Sequence, residues 1–205
     1  KILPDMPFTG RELGKKILED EKITNVSINP IQQLDHYNPK DKKIHIATDK
    51  LDKKSITSIA VVAHEIGHAI QDKEKYKPLI LRQSLIEKTM IFQRIGSFLL
   101  IIGLPSIFAF TKSPFITLIA AIIIMGCLST NVLIHLITLP VEFDASFKRA
   151  LPILAKYVPK ENMKQCKSVL RAAALTYLAQ SIISIFRLKV ILVSIISILK
   201  STVRR

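Results

Sequence analysis

The stretch IGSFLLIIGLPSIFAFTKSPFITLIAAIIIMGCLSTNVLIHLITL, residues 95–139, decides the class of fold. Between residues 89 and 139 only Arg94 and Lys112 carry a formal charge. A bilayer core about 30 Å thick requires about 20 mainly apolar residues of helix. The stretch is long enough for two such helices, with the polar residues 111–114 forming a tight turn between them. The sequence therefore predicts a transmembrane helical hairpin over residues 89–139.

A buried hairpin inside a large soluble protein is the alternative to a membrane hairpin. A chain of 205 residues is too short to cover two such helices with protein, so we expect a mainly α membrane protein. Arg187 and Lys189 interrupt the apolar C-terminal helix, which either crosses the membrane or lies in its interface. We expect four parts: a peptidase part with a small β element at 1–88, the hairpin at 89–139, a basic helical segment at 140–171, and the C-terminal hydrophobic helix at 172–205.

The formal net charge of +14 would by itself suggest a nucleic-acid partner. The chain has no tryptophan and no basic helix with interleaved aromatic residues, so we expect no nucleic acid. Basic residues instead follow the second apolar span, where the positive-inside rule places them on the cytoplasmic face, near anionic lipid headgroups. These residues are Lys148, Arg149, Lys156, Lys160, Lys164, Lys167 and Arg171. Two cysteines are too few for a disulfide framework and fit a reducing compartment.

The segment HEIGH, residues 64–68, carries the chemistry. It lies on a helix predicted from Ser55 to about residue 76, with apolar residues at the helical spacing 56, 59, 62, 63, 66 and 70. Histidines four residues apart share one helix face, so His64 and His68 would bind one Zn²⁺ ion per chain. Glu65, next to the first ligand, would act as the general base. The pattern predicts a zinc hydrolase that requires a third ligand.

We interpret Glu142 as the third zinc ligand. The metzincin extension of the motif requires glycine at 71 and histidine at 74, and the chain has Gln71 and Glu74. Glu87 has about the spacing of a thermolysin-like ligand, but it lies against the first membrane span. Glu142 follows the second span, so the hairpin returns it to the side of the two histidines. Asp144 is a candidate for a supporting contact to a ligand histidine.

Local signals mark the ends of several elements. A threonine followed three residues later by a glutamate predicts a capping box at the start of a short helix. Two Asn-Pro pairs predict turns, and two prolines predict interruptions of the basic helical segment. In order, these signals are Thr9 with Glu12, Asn29–Pro30, Asn38–Pro39, Pro152 and Pro159.

Four separated blocks give the chain a resemblance to a known family. They are HEIGHAIQ at 64–71 with the following Tyr76–Leu79 and Arg82, LDHYNP at 34–39, TLPVEFDAS at 138–146, and RAAALTY at 171–177. The chain resembles the neutral zinc metallopeptidase family of bacterial membrane proteins, often called YugP-type. The third block is also similar to the third-ligand block of the HtpX and CAAX-protease group.

The resemblance implies a gluzincin-like fold in a bacterial cell membrane, with zinc bound by His64, His68 and Glu142. Members of the HtpX and CAAX-protease group often have aspartate where this chain has Ser146. Members of the neutral zinc metallopeptidase family usually begin with one more membrane helix. This chain starts with Lys1 rather than methionine, so we expect a segment to precede it.

The three remaining histidines each have two interpretations. His36, in the LDHYNP block, would bind substrate or a transition-state oxyanion, or else stabilise a turn by a hydrogen bond. His135, inside the second span, would approach the site or make a polar helix–helix contact. His45 is expected to face solvent on a strand over residues 43–48. That strand is either an edge that pairs with a peptide substrate or an interior strand.

The sequence supports two functions from different classes. The first is a membrane-embedded zinc endopeptidase that cleaves membrane proteins or peptides near the cytoplasmic membrane surface. The alternative is a membrane scaffold or adaptor with a structural or degenerate zinc site, which a fourth protein ligand would indicate. A protease with the HEIGH helix inside the bilayer is disfavoured, because dense charge flanks that helix on both sides. A regulatory membrane partner and a homo-oligomer are both left open.

Overall fold

The computed structural model describes residues 6–203 and divides the chain into two compact units. The first unit comprises Lys1–Ile80 and Leu139–Thr176, and the second comprises Leu81–Thr138 and Tyr177–Arg205. The strands of the described part are β1 Ser27–Ile31, β2 His36–Asn38 and β3 Lys43–Ala47. Its α-helices are α1 Gly10–Asp20, α2 Thr48–Leu51, α3 Ile56–Lys73, α4 Lys77–Phe98, α5 Leu104–Thr111, α6 Pro114–Phe143, α7 Leu151–Tyr157 and α8 Met163–Val203.

Three helical stretches are long and apolar enough to cross a membrane: Lys77–Thr111, Pro114–Tyr157 and Lys160–Ser197. The first two cover the predicted hairpin at 89–139, and the first begins at Lys77 instead of near residue 89. Lys112 adopts the left-handed conformation and ends α5 at the predicted turn. The third stretch shows that the apolar C-terminal region is one continuous helix.

The second unit exposes apolar side chains, as expected of helices that contact lipid. Phe110 is 89% exposed and Ile101 is 73% exposed. Helices α4 and α6 approach closely at Gly96, where an added Cβ would lie 2.8 Å from the Cβ of Cys127. Small residues permit such close helix packing in membranes.

Helix α3 is the centre of the first unit. Its six predicted stripe residues are all buried, which confirms the helical periodicity; they are Ile56, Ile59, Val62, Ala63, Ile66 and Ile70. The side chain of Ser55 accepts a hydrogen bond from the Ser58 amide and caps the helix at the predicted residue. The predicted capping box of Thr9 and Glu12 also forms, at the start of α1.

The small sheet has the strand order β1-β3-β2, with β3 parallel to β1 and antiparallel to β2. The predicted strand over 43–48 is therefore interior, and the edge strand next to it is β2. The predicted turn at Asn29–Pro30 is wrong, because both residues lie within β1. Proline is tolerated there because β1 is an edge strand. An N–H that is missing on the open side of an edge strand removes no hydrogen bond between strands.

The chain remains helical through Pro152, so the predicted interruption there is wrong. A π-helical segment, Asp144–Ala150, joins α6 to α7 directly before this proline. The wider π turn reduces the clash between the proline ring and the preceding carbonyl groups. At Pro159 the helix does end, as predicted.

Helix α3 meets the π-helical segment at Gly67. A Cβ added at this glycine would lie 2.7 Å from the carbonyl oxygen of Ala145 and 3.2 Å from its Cα. Because these atoms belong to the backbone, neither can rotate away. Glycine at 67 therefore sets how closely the two elements that carry the candidate site approach.

We expect Gly67→Ala to lower the melting temperature and to weaken zinc binding, since α3 and the π-helical segment must move apart. Overpacking costs about 1–3 kcal/mol, which exceeds the gain of about 1 kcal/mol for alanine over glycine in a helix. Gly126→Ala is the matched control, because its Cβ would meet no described atom within 4 Å. Circular dichroism and zinc titration would measure both effects. Equal behaviour of the two variants would contradict the close packing.

Candidate metal centre

Three ligand-type side chains converge in the first unit. His64 and His68 lie one turn apart on α3, and Glu142 lies in the last turn of α6. Their ligand atoms lie within 4.8 Å of one another, and all three residues are buried. The same Glu142 oxygen, Oε2, is 3.2 Å from Nε2 of His64 and 3.4 Å from Nε2 of His68. The expected grouping of these three residues is therefore present.

The protonation of His64 follows from its hydrogen bonds. Its Nδ1 lies 3.0 Å from the hydroxyl of Ser146, and that hydroxyl donates to the carbonyl of Leu170 at 3.2 Å. A carbonyl only accepts, so the single hydroxyl proton is used there and Ser146 accepts from Nδ1–H. In the neutral imidazole, Nε2 of His64 then carries the lone pair.

The protonation of His68 follows in the same way from Gln71. Nδ1 of His68 lies 2.9 Å from Oε1 of Gln71. The amide nitrogen of Gln71 donates to the carbonyl of Val141 at 2.8 Å and to Asp144 at 2.9 Å. Because Oε1 can only accept, the proton resides on Nδ1 of His68. Nε2 of His68 also carries a lone pair.

The three converging atoms fit a divalent cation. Two imidazole nitrogens and a carboxylate oxygen face one another, which is repulsive unless a proton or a metal cation lies between them. Protonating both histidines would instead leave one unpaired positive charge in a buried site, at a cost of several kcal/mol. Two imidazole nitrogens and one glutamate oxygen form a donor set of catalytic zinc sites, in which ligand atoms are about 3.3 Å apart. The Nε2–Oε2 distances of 3.2 and 3.4 Å match this spacing.

Glu65 lies beside this centre and is 6% exposed. Burial raises the pKa of its carboxyl group to about 7, against the lowering effect of His64. The negative charges of Glu142 and Asp35 raise it further, and a hydrogen bond from the main-chain amide of Tyr37 lowers it. Strand β2 therefore passes next to Glu65 and contacts it through its backbone.

The LDHYNP block holds β2 in this position. Asp35 accepts a hydrogen bond from the amide of Ala47 at 2.7 Å and forms an ion pair with Lys50 at 2.5 Å. The hydroxyl of Tyr37 donates to Asp72 near the end of α3 at 2.6 Å. These contacts fix both ends of the short edge strand, one to β3 and the following helix and the other to α3.

His36 and His45 lie opposite each other on neighbouring strands. Their rings stack, with centroids 4.8 Å apart. Nδ1 of His36 lies 2.9 Å from the carbonyl oxygen of Leu34, which is the geometry of the turn-stabilising alternative. His36 is exposed and His45 is half-buried. A substrate role for His36 stays a prediction.

Asp144 and His135 are the other predicted site residues. Asp144, the candidate for a supporting contact, reaches His68 through Gln71. His135 lies in the second unit, where its ring centroid is 6.1 Å from that of Tyr177. The sequence reasoning missed Gln71 as a contributor to the site. Gln71 lies three residues after His68 on the same helix face, and this spacing is the sequence signal that could have identified it.

Comparison with known proteins agrees with this geometry. The family model described as "Putative neutral zinc metallopeptidase" matches residues 1–196. The chain is 32% identical over 183 residues to the "Putative membrane protease YugP" of Bacillus subtilis (strain 168), covering 88% of this chain and 77% of that protein. No solved structure matches the chain significantly. The chain therefore belongs to the neutral zinc metallopeptidase family.

Proposed function

We propose that this chain is a zinc-dependent endopeptidase that cleaves membrane proteins or peptides near the cytoplasmic membrane surface. The observation that carries the proposal is the convergence of Nε2 of His64, Nε2 of His68 and Oε2 of Glu142 beside the buried carboxyl group of Glu65. Within residues 6–203 no fourth His, Cys, Asp or Glu joins this group. Three protein ligands leave a position open, which favours a catalytic site over the closed four-ligand site of a structural zinc.

The residues divide the work of peptide hydrolysis. His64, His68 and Glu142 hold the metal, as in a gluzincin-like site. Zinc bound there lowers the pKa of water and polarises a carbonyl group. The Glu65 carboxylate takes a proton from the attacking water and later delivers it to the leaving amine. The hydrogen bond from the Tyr37 amide holds the Glu65 carboxylate in place.

The free edge of β2 is the proposed substrate-binding strand. The amide of Tyr37 is directed at Glu65, so it does not pair with β3. In an antiparallel strand the N–H and C=O of one residue point the same way, which leaves the Tyr37 carbonyl on the free edge. An extended peptide that pairs with this edge would place its backbone next to Glu65.

The charge distribution supports the cytoplasmic side. Exposed lysines lie at the end of the second apolar stretch and at the start of the third, and others lie in the polar N-terminal region, which is the distribution of cytoplasmic segments. The predicted lysines at 148, 156, 160, 164 and 167 are all exposed. A site in the same unit would act on substrates at that membrane surface.

Removal of zinc is the test of this proposal. We expect a chelator to abolish cleavage of a peptide reporter by the purified protein, and one equivalent of Zn²⁺ to restore it. The reason is that zinc is the cation on which the proposed hydrolysis depends. The reporter should be assayed both free and anchored to vesicles that contain the enzyme. Cleavage by protein shown by metal analysis to hold no zinc would refute the proposal.

A further inference from the structure

We propose that Gln71 is a positioning residue that holds His68 in its metal-binding tautomer and connects it to the negative charge of Asp144. The inference rests on the proposed zinc site. Gln71 is completely buried, and no polar group of its side chain is left to water. A buried polar side chain requires partners for all its groups, and those partners determine its orientation.

The orientation of the Gln71 amide is determined by the opposite element. Its nitrogen lies 2.8 Å from the carbonyl oxygen of Val141 and 2.9 Å from Oδ1 of Asp144, both of which only accept. Reversing the amide would place its oxygen against both acceptors. Oε1 is therefore held towards Nδ1 of His68, at 2.9 Å. The other tautomer of His68 would lose this bond and place a proton on the metal-facing nitrogen.

Asp144 adds charge to this arrangement. Its carboxylate is 6% exposed, and the Oδ1 that accepts from Gln71 also accepts from Nε of Arg149 at 2.6 Å. Arg149 in turn donates to Glu74, directly after α3, at 2.8 Å. Hydrogen bonds in series polarise one another, so a buried carboxylate behind Gln71 makes its oxygen a stronger acceptor. Nε2 of His68 then becomes a better electron donor to a metal.

The two candidate histidine ligands thus differ in the hydrogen-bond partner of Nδ1. His64 relies on the neutral hydroxyl of Ser146, whereas His68 is joined to a carboxylate through one amide. Loss of Gln71 would remove the tautomer control and the connection between His68 and the charge of Asp144. A role limited to packing predicts a different result, because then only the stability of the fold would change.

The variants Gln71→Leu and Gln71→Glu with Asp144→Asn separate these roles. Leucine is similar in size and removes all three hydrogen bonds. In the double variant a carboxylate at 71 accepts from Nδ1–H of His68. Gln71 and Arg149 share Oδ1 of Asp144, so the amide at 144 turns its nitrogen towards residue 71 and Arg149 keeps its bond to Glu74. The negative charge is kept and moves from the side chain at 144 to the side chain at 71, which contacts His68 directly. The carbonyl of Val141 loses its hydrogen-bond donor. Gln165→Leu is the control, since Gln165 is an exposed glutamine of the same unit.

The measurements are the zinc dissociation constant by competition with a chelating dye, kcat and KM on a peptide reporter, and unfolding of the zinc-free protein. We expect Gln71→Leu to weaken zinc binding about 10–100-fold. The double variant should recover wild-type or tighter zinc binding and most of kcat, while the zinc-free protein stays less stable than wild type. Gln165→Leu should change nothing.

Two results would overturn the inference. One is wild-type zinc affinity in Gln71→Leu under conditions where His68→Ala loses zinc. The other is a folded double variant that binds zinc as weakly as Gln71→Leu. Should the leucine variant not fold, a folded double variant that binds zinc at least about 10-fold more weakly than wild type would overturn the inference. Retention of zinc by His68→Ala would instead refute the proposed zinc site itself, so the two failures are distinguishable.

Discussion

Replacing Glu65 with glutamine should abolish peptide hydrolysis while zinc remains bound. The amide has nearly the same shape as the carboxyl group, and its oxygen still accepts from the Tyr37 amide that contacts Glu65. It cannot take a proton from water. General acid–base catalysis contributes about 10²–10⁴-fold, so kcat should fall by at least this factor. Zinc affinity should stay at the wild-type value, because Glu65 is not among the three converging ligands.

The measurement is kcat on a peptide reporter together with metal content for each purified protein. Glu161→Gln is the matched control, since Glu161 is an exposed glutamate of the first unit. It should retain full activity and full zinc. A Glu65→Gln protein that keeps both zinc and substantial activity would eliminate Glu65 as the general base. Loss of zinc in that variant would instead assign Glu65 to the metal shell.

Elements determined by local sequence were predictable. The apolar period of α3 and its cap at Ser55 depend on residues within one or two turns, so the sequence alone located the helix. The hairpin followed from length and hydropathy. The position of Glu142 beside the histidines followed from topology, because a hairpin returns the chain to its starting side. These arguments need no knowledge of side-chain packing.

What the sequence did not reveal depends on contacts between distant residues. Gln71 contacts Val141 and Asp144, which follow it in the sequence by 70 and 73 residues. No local pattern predicts a contact over such a separation. The pair Asn29–Pro30 has turn propensity, but an edge position in the sheet tolerates it as strand. The edge strand β2 has only three residues, too few for a periodic signal.

The TLPVEFDAS block, residues 138–146, has two acidic residues, and the sequence indicated a definite role only for the first. After residue 88 the chain has three acidic residues, and Glu142 and Asp144 are two of them. At a spacing of two they cannot share a helix face. The structure uses both: Glu142 faces the histidines, and Asp144 reaches Gln71 from the π-helical segment. Two nearby carboxylates on different faces can therefore serve one metal centre.

Replacing Glu142 with alanine should remove zinc and activity together, in contrast to the Glu65 variant. Even a residue that only supports a ligand typically contributes about 10–100-fold to metal affinity, so loss of a ligand should exceed this range. Glu142 is 2% exposed, and its carboxylate faces both Nε2 atoms. Without it, two neutral histidines remain as ligands.

The fold should survive this substitution, which makes the experiment decisive. Helix α3 and the π-helical segment stay connected by the bond between Ser146 and His64 and by the bonds from Gln71 to Val141 and Asp144. We therefore expect normal helical content, with zinc affinity reduced more than 100-fold relative to Glu161→Ala. Unchanged zinc affinity in a folded Glu142→Ala protein would require a different third ligand.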